Sequence, residues 1–264
     1  MSEMRWLPGL VMILCACTAK PVLRTDPQAF ALGKALVEKA IDAQGGMSSY
    51  RDLGGVRLHM HATGPYYPTD ADYVFDPARN RGAMRRVDSK GHTIEWRYDG
   101  KQGGELMDGH CISSPKRGRF VSGLLSNLLF WIGTPWKFLD QGAHVVAVDP
   151  APLEQGARAS PRFFVTYKDV GETPDDWFLV WLDPDTFRLQ RITYLVSGFT
   201  KLIEMQGEWT NYVYVNGFGV AGTRSHHPKN GFWHALAPKV IHTTSAITTH
   251  EALTDALFAT DCAH

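Results

Sequence analysis

Several histidines in the sequence are candidate ligands for a metal ion. His59 and His61 lie two apart in a segment of alternating apolar and polar residues, so both would project from one face of a β-strand. A third ligand could come from any of three later histidines: His226, His227 and His234. The same strand face carries Arg57 and Thr63, which is typical of a surface in contact with solvent. The chain has no HExxH or CxxC motif, so the pattern favours surface histidines and predicts no metal site.

Six residues with the letters GFGVAG, at positions 217–222, match the G-x-G-x-x-G pattern that binds the pyrophosphate of a dinucleotide. In that role the glycines lead into a helix whose N-terminus holds the phosphates. The letters that follow, TRSHHP at 223–228, are unsuited to opening a helix, and no βαβ unit surrounds them. The glycines therefore predict a hairpin turn, and no cofactor is expected.

Residues for nucleophilic or acid–base catalysis are equally poorly supported. The chain has no GxSxG motif. Asp175 and Asp176 are adjacent acids, but they follow Pro174 in a predicted turn, where aspartates need no catalytic explanation. No catalytic residue is therefore predicted, and the chain is expected not to be an enzyme.

Cysteine usage at the N-terminus points to export. Arg5 gives a basic start, and residues 6–14 form a short apolar run. The letters LCAC at 14–17 resemble a bacterial lipobox, which implies that Cys17 is acylated after residues 1–17 have directed export. An ordinary secretory signal with an incidental cysteine is the alternative reading. Thr18, where an aspartate would favour the inner membrane, indicates a lipid-anchored protein of the outer membrane that faces the periplasm.

If Cys15 leaves with the signal peptide and Cys17 is acylated, two cysteines remain, Cys111 and Cys262. An even number of cysteines in an oxidising compartment favours a disulfide bond. Such a bond would fasten the C-terminal end to the body of the protein. Two buried thiols are the alternative, because sequence alone does not show whether the two Cα atoms come close enough to be bridged.

Composition favours one domain and excludes one class of partner. The chain has 264 residues, and no linker or repeat divides it. Residues 18–27 read as a tether and residues 28–264 as a single domain. Lysine and arginine number 27, as do aspartate and glutamate, so the chain lacks the basic surface that a nucleic acid requires.

The element expected to organise the fold is an apolar helix at residues 119–133. Its large side chains form two adjacent rows, each with a spacing of four: Phe120, Leu124 and Leu128, and Val121, Leu125 and Leu129. Fifteen residues span roughly 22 Å, which is less than the roughly 30 Å of a bilayer core, so a membrane span is not predicted. Burying each large side chain is worth roughly 1.5–3 kcal/mol, so another element must cover this helix.

Most of the remaining chain alternates with a period of two and predicts strands. A first helix at residues 28–44 is capped by Asp26 and ended by Gly45 and Gly46. Short turns join the predicted strands, so neighbours should pair antiparallel. The predicted strands span residues 56–63, 72–75, 83–87, 93–98, 105–113, 144–148, 162–168, 177–182, 188–196, 201–214, 220–224 and 240–249.

The order of these elements resembles the periplasmic lipoprotein-carrier superfamily, LolA/LolB-like. Two local phrases agree with the superfamily, AQGG at 43–46 and WKFLDQGA at 136–143. The phrase VGETPDDWFLVWLDPDT at 170–186, followed by RITY at 191–194, matches its lipoprotein-sorting-like branch. The resemblance implies an α+β, mostly β fold. About eleven antiparallel strands would form a curved incomplete barrel, with helices packed on its concave side.

The resemblance also implies that the chain binds an acyl chain or another hydrophobic group without doing chemistry on it. Barrel-like sheets often hold one apolar ligand, which would occupy spare room beneath the apolar helix. The residues expected to bind it are Phe120, Leu124, Leu125, Leu128, Trp131, Trp136 and Phe138. Strand aromatics are expected to share the core and the ligand wall: Trp96, Phe164, Trp177, Trp181 and Trp209.

The partners implied are therefore the lipid or acyl chain of a lipoprotein and the membrane that holds the N-terminal anchor. The rival reading is a protein-interaction or envelope-sensing module with the same fold and a filled core, which would work through its exposed sheet edges.

Overall fold

A single antiparallel sheet dominates the computed structural model, which describes residues 23, 26–64, 70–112, 114–167, 176–196, 203–229 and 239–260. Residues 1–22, which contain the predicted signal peptide with Cys17 and most of the tether, lie outside the described residues. The strands are β1 (Gly55–Thr63), β2 (Asp70–Asp76), β3 (Arg81–Val87), β4 (Thr93–Tyr98), β5 (Gly103–Met107), β6 (His110–Cys111), β7 (Ala143–Pro152), β8 (Ala159–Tyr167), β9 (Trp177–Leu182), β10 (Leu189–Leu195), β11 (Met205–Val215), β12 (Phe218–Pro228) and β13 (Val240–Glu251).

The strand order is β6-β5-β4-β3-β2-β1-β13-β12-β11-β10-β9-β8-β7. Sequence neighbours pair within β1–β6 and within β7–β13, and β1 pairs with β13 to join these two halves. β6 and β7, which are separated by the helix at residues 115–132, do not pair with each other. Strands β6 and β7 form the two edges, so the sheet is open. The predicted mostly-β antiparallel class is confirmed. The predicted count of about eleven strands was wrong, because the described sheet has thirteen.

The first two helices are α1 (Pro27–Asp42) and α2 (Gly46–Arg51). The predicted cap is confirmed, since the Asp26 side chain accepts a hydrogen bond from the backbone N–H of Ala29. α1 packs on edge strand β7, where Gly33 lies so close that a Cβ would be 2.8 Å from the backbone nitrogen of Ala147.

The apolar helix, α3, spans Pro115–Ile132 and so begins four residues before its predicted start. Ser114 caps it by accepting a hydrogen bond from the Arg117 N–H. The predicted start relied on the spacing of apolar residues and did not use this cap. Gly133 follows the helix, and the Thr134–Pro135 peptide bond is cis. None of the described helices combines the length and the apolar composition needed to cross a bilayer.

The glycine run at 217–222 is mostly strand. Only Gly217 lies in the predicted hairpin turn, where it follows Asn216; both residues have positive φ, 81° and 50°. This Asn-Gly pair suits a two-residue hairpin between β11 and β12. The turn also positions the end of α1, because the Gly219 N–H donates to the Gln44 carbonyl at 2.8 Å.

The two faces of the sheet differ, and we name the one that α1 and α3 cover the inner face. In β1, Leu58 and Met60 are 1% exposed and join the main core there, whereas Arg57 and His61 are exposed on the outer face, as the alternation predicted. The main core combines inner-face side chains with those of both helices.

A smaller apolar cluster lies on the outer face. Phe164, Trp177 and Leu179 are buried there, with Trp181 packed against them. Their neighbours along β8, Phe163 and Val165, point the other way into the main core. Placing Phe164, Trp177 and Trp181 with the ligand wall was therefore wrong, because both faces of these strands are apolar and a period of two does not show which face turns inward.

Candidate functional site

The side chains predicted to bind a ligand lie in the main core. Leu124, Leu125, Leu128 and Trp131 of α3 are 0–6% exposed, and Phe120, nearer the start of the helix, is partly buried. α3 contacts β3, β4 and β5, and its last turn extends toward β9 and β10, where Trp131 packs on ring side chains. The structure thus brings the five helix residues onto one continuous apolar surface.

Trp136 and Phe138 follow in a 3-10 turn, Trp136–Leu139. Trp136 is 2% exposed, and its ring lies between Tyr50 and Phe218, with centroids 4.9 and 5.1 Å away. Phe138 is fully buried against Phe163, 5.6 Å between centroids. Both residues were expected to bind the ligand; the structure places both inside the packed core.

The inner face is occupied by the protein's own atoms. Two grooves on the described surface lie elsewhere, and none of the seven predicted ligand residues lines either one. One, of about 490 Å³, lies on the outer face between Arg57, Ala83 and Leu257. The other, of about 230 Å³, lies between Leu32 of α1 and Val148 of β7. The predicted residues are packed against the protein's own side chains, so a ligand that took the place of α3 would require the helix to move away from the sheet.

One polar contact holds the start of α3 to the sheet. Glu105 of β5 accepts hydrogen bonds from Arg117 at 2.5 and 2.8 Å and from the indole N–H of Trp96 at 2.8 Å. The Arg117 guanidinium also lies over the rings of Trp96 and Phe120, at 5.2 and 4.8 Å from their centroids. This Glu105–Arg117 ion pair is partly open to solvent, because the Arg117 side chain is 38% exposed.

Replacing Glu105 with glutamine should loosen α3 in a pH-dependent way. Burial raises the pKa of Glu105, but hydrogen bonds from Arg117 and Trp96 outweigh it, so the folded pKa lies below its usual 4.5. The stabilisation is therefore present above pH 4.5 and lost as pH falls through the lower folded value. We expect E105Q to cost on the order of 1 kcal/mol at pH 7, since the pair is partly exposed.

Urea unfolding of E105Q and wild type, at pH 7 and in acid, measures the difference in their free energies of unfolding. This difference should disappear in acid. E95Q is the matched control, because Glu95 pairs with Arg97 on the outer face, away from α3. Amide hydrogen exchange should quicken in α3 of E105Q but not of E95Q. Equal exchange in the two variants would contradict a role for the ion pair in holding the helix.

Close backbone contact fixes the next turn of α3. A Cβ on Gly103 of β5 would lie 2.5 Å from the Ser122 nitrogen and 2.6 Å from the Gly118 carbonyl oxygen. Real Cβ atoms do not approach backbone atoms so closely, so a glycine is required here. Gly123, one residue further along the helix, faces open space.

A group of polar side chains on the inner face was missed by the sequence analysis. We name it the inner polar cluster; its members are 0–7% exposed and are Tyr194, Trp209, Arg224, His226, His242 and Thr244. The prediction of a surface position was wrong for His226, because β12 extends to Pro228 and its residues Arg224 and His226 both turn inward. The predicted strand ended at residue 224, so the alternation was not continued to His226 and its inward orientation was not predicted.

Burial and charge set the protonation of the two cluster histidines. Burial lowers the pKa of His226 to about 3, with a further contribution from the Arg224 guanidinium. The same two causes lower the pKa of His242 well below its usual range. Both rings are therefore neutral at pH 7. Tyr194 Oη lies 3.0 Å from Nδ1 of His226.

The histidines first considered as metal ligands are dispersed. His59 lies on the outer face between Asp70 and Asp72, with ring nitrogens 2.7 and 2.9 Å from their carboxylates. His61 is exposed, and His234 lies outside the described residues. Within the described ranges, no three or more histidine, cysteine, aspartate or glutamate side chains are grouped to hold a metal ion.

Cys111 of β6 is disulfide-bonded, and Cys262 lies outside the described residues. The chain just before Cys262 is held to the sheet, because Arg81 binds the Asp255 carboxylate at 2.7 Å and Gln102 donates to Thr260 at 3.1 Å. We therefore expect peptide mapping without reduction to recover a Cys111–Cys262 cross-linked peptide that reduction separates. Recovery of Cys262 as a free thiol would contradict this pairing.

Comparison with known proteins places the fold. The chain matches no protein-family model and no curated protein sequence. A LolA superfamily protein from Nitrosomonas europaea aligns with 87% of this chain and 98% of its own, at 13% identity and a TM-score of 0.53. An outer membrane lipoprotein-sorting protein domain from Vibrio parahaemolyticus aligns with 86% of this chain and 96% of its own, at 12% identity and a TM-score of 0.45. A DUF1329 family protein from Desulfovibrio piger aligns with 86% of this chain and 97% of its own, at 11% identity and a TM-score of 0.47. The predicted resemblance is therefore confirmed at the level of architecture: this chain has the fold of the LolA superfamily.

Proposed function

We propose that this chain is a non-enzymatic envelope lipoprotein that binds an acyl chain or another hydrophobic group between α3 and the inner face of the sheet. The observation that carries the proposal is the position of α3, an amphipathic helix whose apolar side chains occupy the inner face of a LolA-like sheet. A bound chain would take the place of those side chains.

Two opposing hydrophobic contributions govern such an exchange. Moving α3 exposes its apolar side chains to water, at roughly 25 cal/mol per Å². An acyl chain that enters covers the inner face again, so the closed and loaded states need differ by only a few kcal/mol. The partly exposed Glu105–Arg117 ion pair adds only a modest barrier at the start of the helix.

Ligand content and uptake test the proposal. Protein purified from its native membrane should release an acyl lipid on organic extraction, and native mass spectrometry should show one lipid per chain. Delipidated protein should take up a fluorescent fatty acid such as cis-parinaric acid. E105Q should take it up faster than E95Q, because only the first substitution releases α3.

A filled core also supports a second candidate, a protein-interaction or envelope-sensing module with the same fold. The side chains on the inner face favour it, because in this conformation they leave the predicted site occupied. Absence of extracted lipid, together with no uptake by wild type or E105Q, would reject lipid binding and leave this candidate.

The envelope location rests on the proposed acylation of Cys17. Cells fed an alkyne-tagged palmitate should label the wild-type chain, and C17S should remain unlabelled. The wild type should then be recovered with the outer membrane fraction. Labelling of C17S would contradict the assignment, and recovery with the inner membrane would contradict the outer membrane location.

A further inference from the structure

The register of four adjacent strands brings the inner polar cluster together. Trp209 of β11 pairs with Arg224 of β12, which pairs with His242 of β13. The His226 ring lies 5.5 Å from that of Trp209 and 5.6 Å from that of His242, between centroids. The cluster is thus one contiguous polar patch on the inner face.

Hydrogen-bond donors exceed acceptors in this patch. Nε1 of Trp209, Nε2 of His226 and Oγ1 of Thr244 have no hydrogen-bond partner among the described residues. The indole N–H can only donate. When the Tyr194 hydroxyl donates to Nδ1 of His226, the ring proton lies on Nε2, which is then a donor as well. The six residues of the cluster include no carboxylate.

The patch also contains a positively charged group. Arg224 is fully buried, and one of its Nη atoms donates to the sulfur of Met60 at 3.6 Å. The guanidinium keeps its charge at any physiological pH, while both histidines are neutral there. The guanidinium, together with the unsatisfied polar atoms of Trp209, His226 and Thr244, is complementary to a group that carries negative charge and only accepts hydrogen bonds.

We infer that the inner polar cluster binds the anionic head group, a carboxylate or a phosphate, of an amphiphile whose hydrocarbon chain takes the place of α3. The inference rests on the proposed function. Trp131 of α3 connects the two parts, since its ring lies 5.3 Å from that of His226 and 4.9 Å from that of Tyr194. Movement of the helix would uncover the polar patch and the apolar surface at the same time.

Three probes with the same twelve-carbon chain test the inference: laurate, dodecyl phosphate and dodecanol. Binding to full-length delipidated protein is followed by tryptophan fluorescence and calorimetry. The better-fitting of the two anionic probes should bind at least about tenfold tighter than dodecanol, because hydrogen bonds to a charged group are the stronger ones. Which anion binds tighter identifies the head group as carboxylate or phosphate.

Variants assign the preference to the cluster. Arg224→Gln should reduce the affinity for the preferred anion to that for dodecanol. Arg85→Gln is the matched control, since Arg85 is 69% exposed and lies on the outer face; it should keep the full preference. If Arg224→Gln does not fold, as judged by circular dichroism, Trp209→Phe keeps an aromatic ring without the N–H and should reduce the preference several-fold.

The outcomes separate this inference from the proposed function. Equal binding of all three probes, or an undiminished preference in the folded cluster variant, would overturn the head-group site while leaving lipid binding intact. Failure to bind any of the three would overturn both. Displacement of the preferred probe by inorganic phosphate at similar concentrations would overturn an amphiphile as the source of the anion.

Discussion

Replacement of Leu128 by alanine is expected to lower the free energy of unfolding by about 2–5 kcal/mol. Leu128 is fully buried in the main core, about one turn before the end of α3. The substitution removes most of an apolar side chain and leaves a void that the surrounding strands can close only in part. This loss is a large share of the roughly 5–15 kcal/mol that stabilises a typical domain. Urea unfolding followed by circular dichroism measures it.

Leu32→Ala is the matched control, because Leu32 lies in α1 and is 49% exposed. Its cost should stay within about 0.5 kcal/mol, as for most surface substitutions. A loss below about 1 kcal/mol for Leu128→Ala would show that α3 does not pack against the sheet in solution. That outcome would remove the basis for a helix that exchanges with a ligand.

Valine in place of Gly103 should separate α3 from the sheet, at a cost of about 3 kcal/mol. The new Cβ would meet backbone atoms of Ser122 and Gly118 within 2.6 Å, and backbone atoms cannot rotate away as a side chain can. The helix must therefore shift outward and uncover apolar surface. We expect lower stability together with greater binding of a hydrophobic dye such as ANS at low urea.

Gly123→Val tests whether the effect comes from the contact and not from the loss of a glycine. Gly123 belongs to α3 itself, and a Cβ there meets nothing within 4 Å. That variant should match or slightly exceed wild-type stability, since glycine is unfavourable inside a helix. Equal dye binding by the two variants would contradict the role of the Gly103 contact.

Much of the fold could be predicted because local patterns and tertiary structure agree. β4 and β9 occupy their predicted ranges, and Asp26 caps α1 as expected. The start of α3 was placed too late because Arg117 and Gly118 break the apolar pattern. Arg117 and Gly118 are helical because Ser114 caps the helix and because they contact Glu105 and Gly103 of β5. The apolar pattern contains none of these interactions.

The candidate site could be predicted only in part. Spacing on α3 identified side chains that do share one apolar surface, because a helical period fixes which residues are neighbours. It did not show that the helix itself would fill the inner face, since occupancy depends on how far the sheet curves. The inner polar cluster could not be predicted for another reason: Arg224, His226 and His242 become neighbours only through the pairing of β12 with β13.

An open sheet has two edge strands, and each could pair with a strand of another molecule. Here one edge strand is the two-residue β6, which is too short to pair stably with another chain. The other, β7, carries Pro150 and Pro152, which have no amide hydrogen to donate, and its pairing with β8 shifts register between Val148 and Ala151. We expect the protein to resist fibril growth and to remain monodisperse at high concentration, even though its barrel never closes.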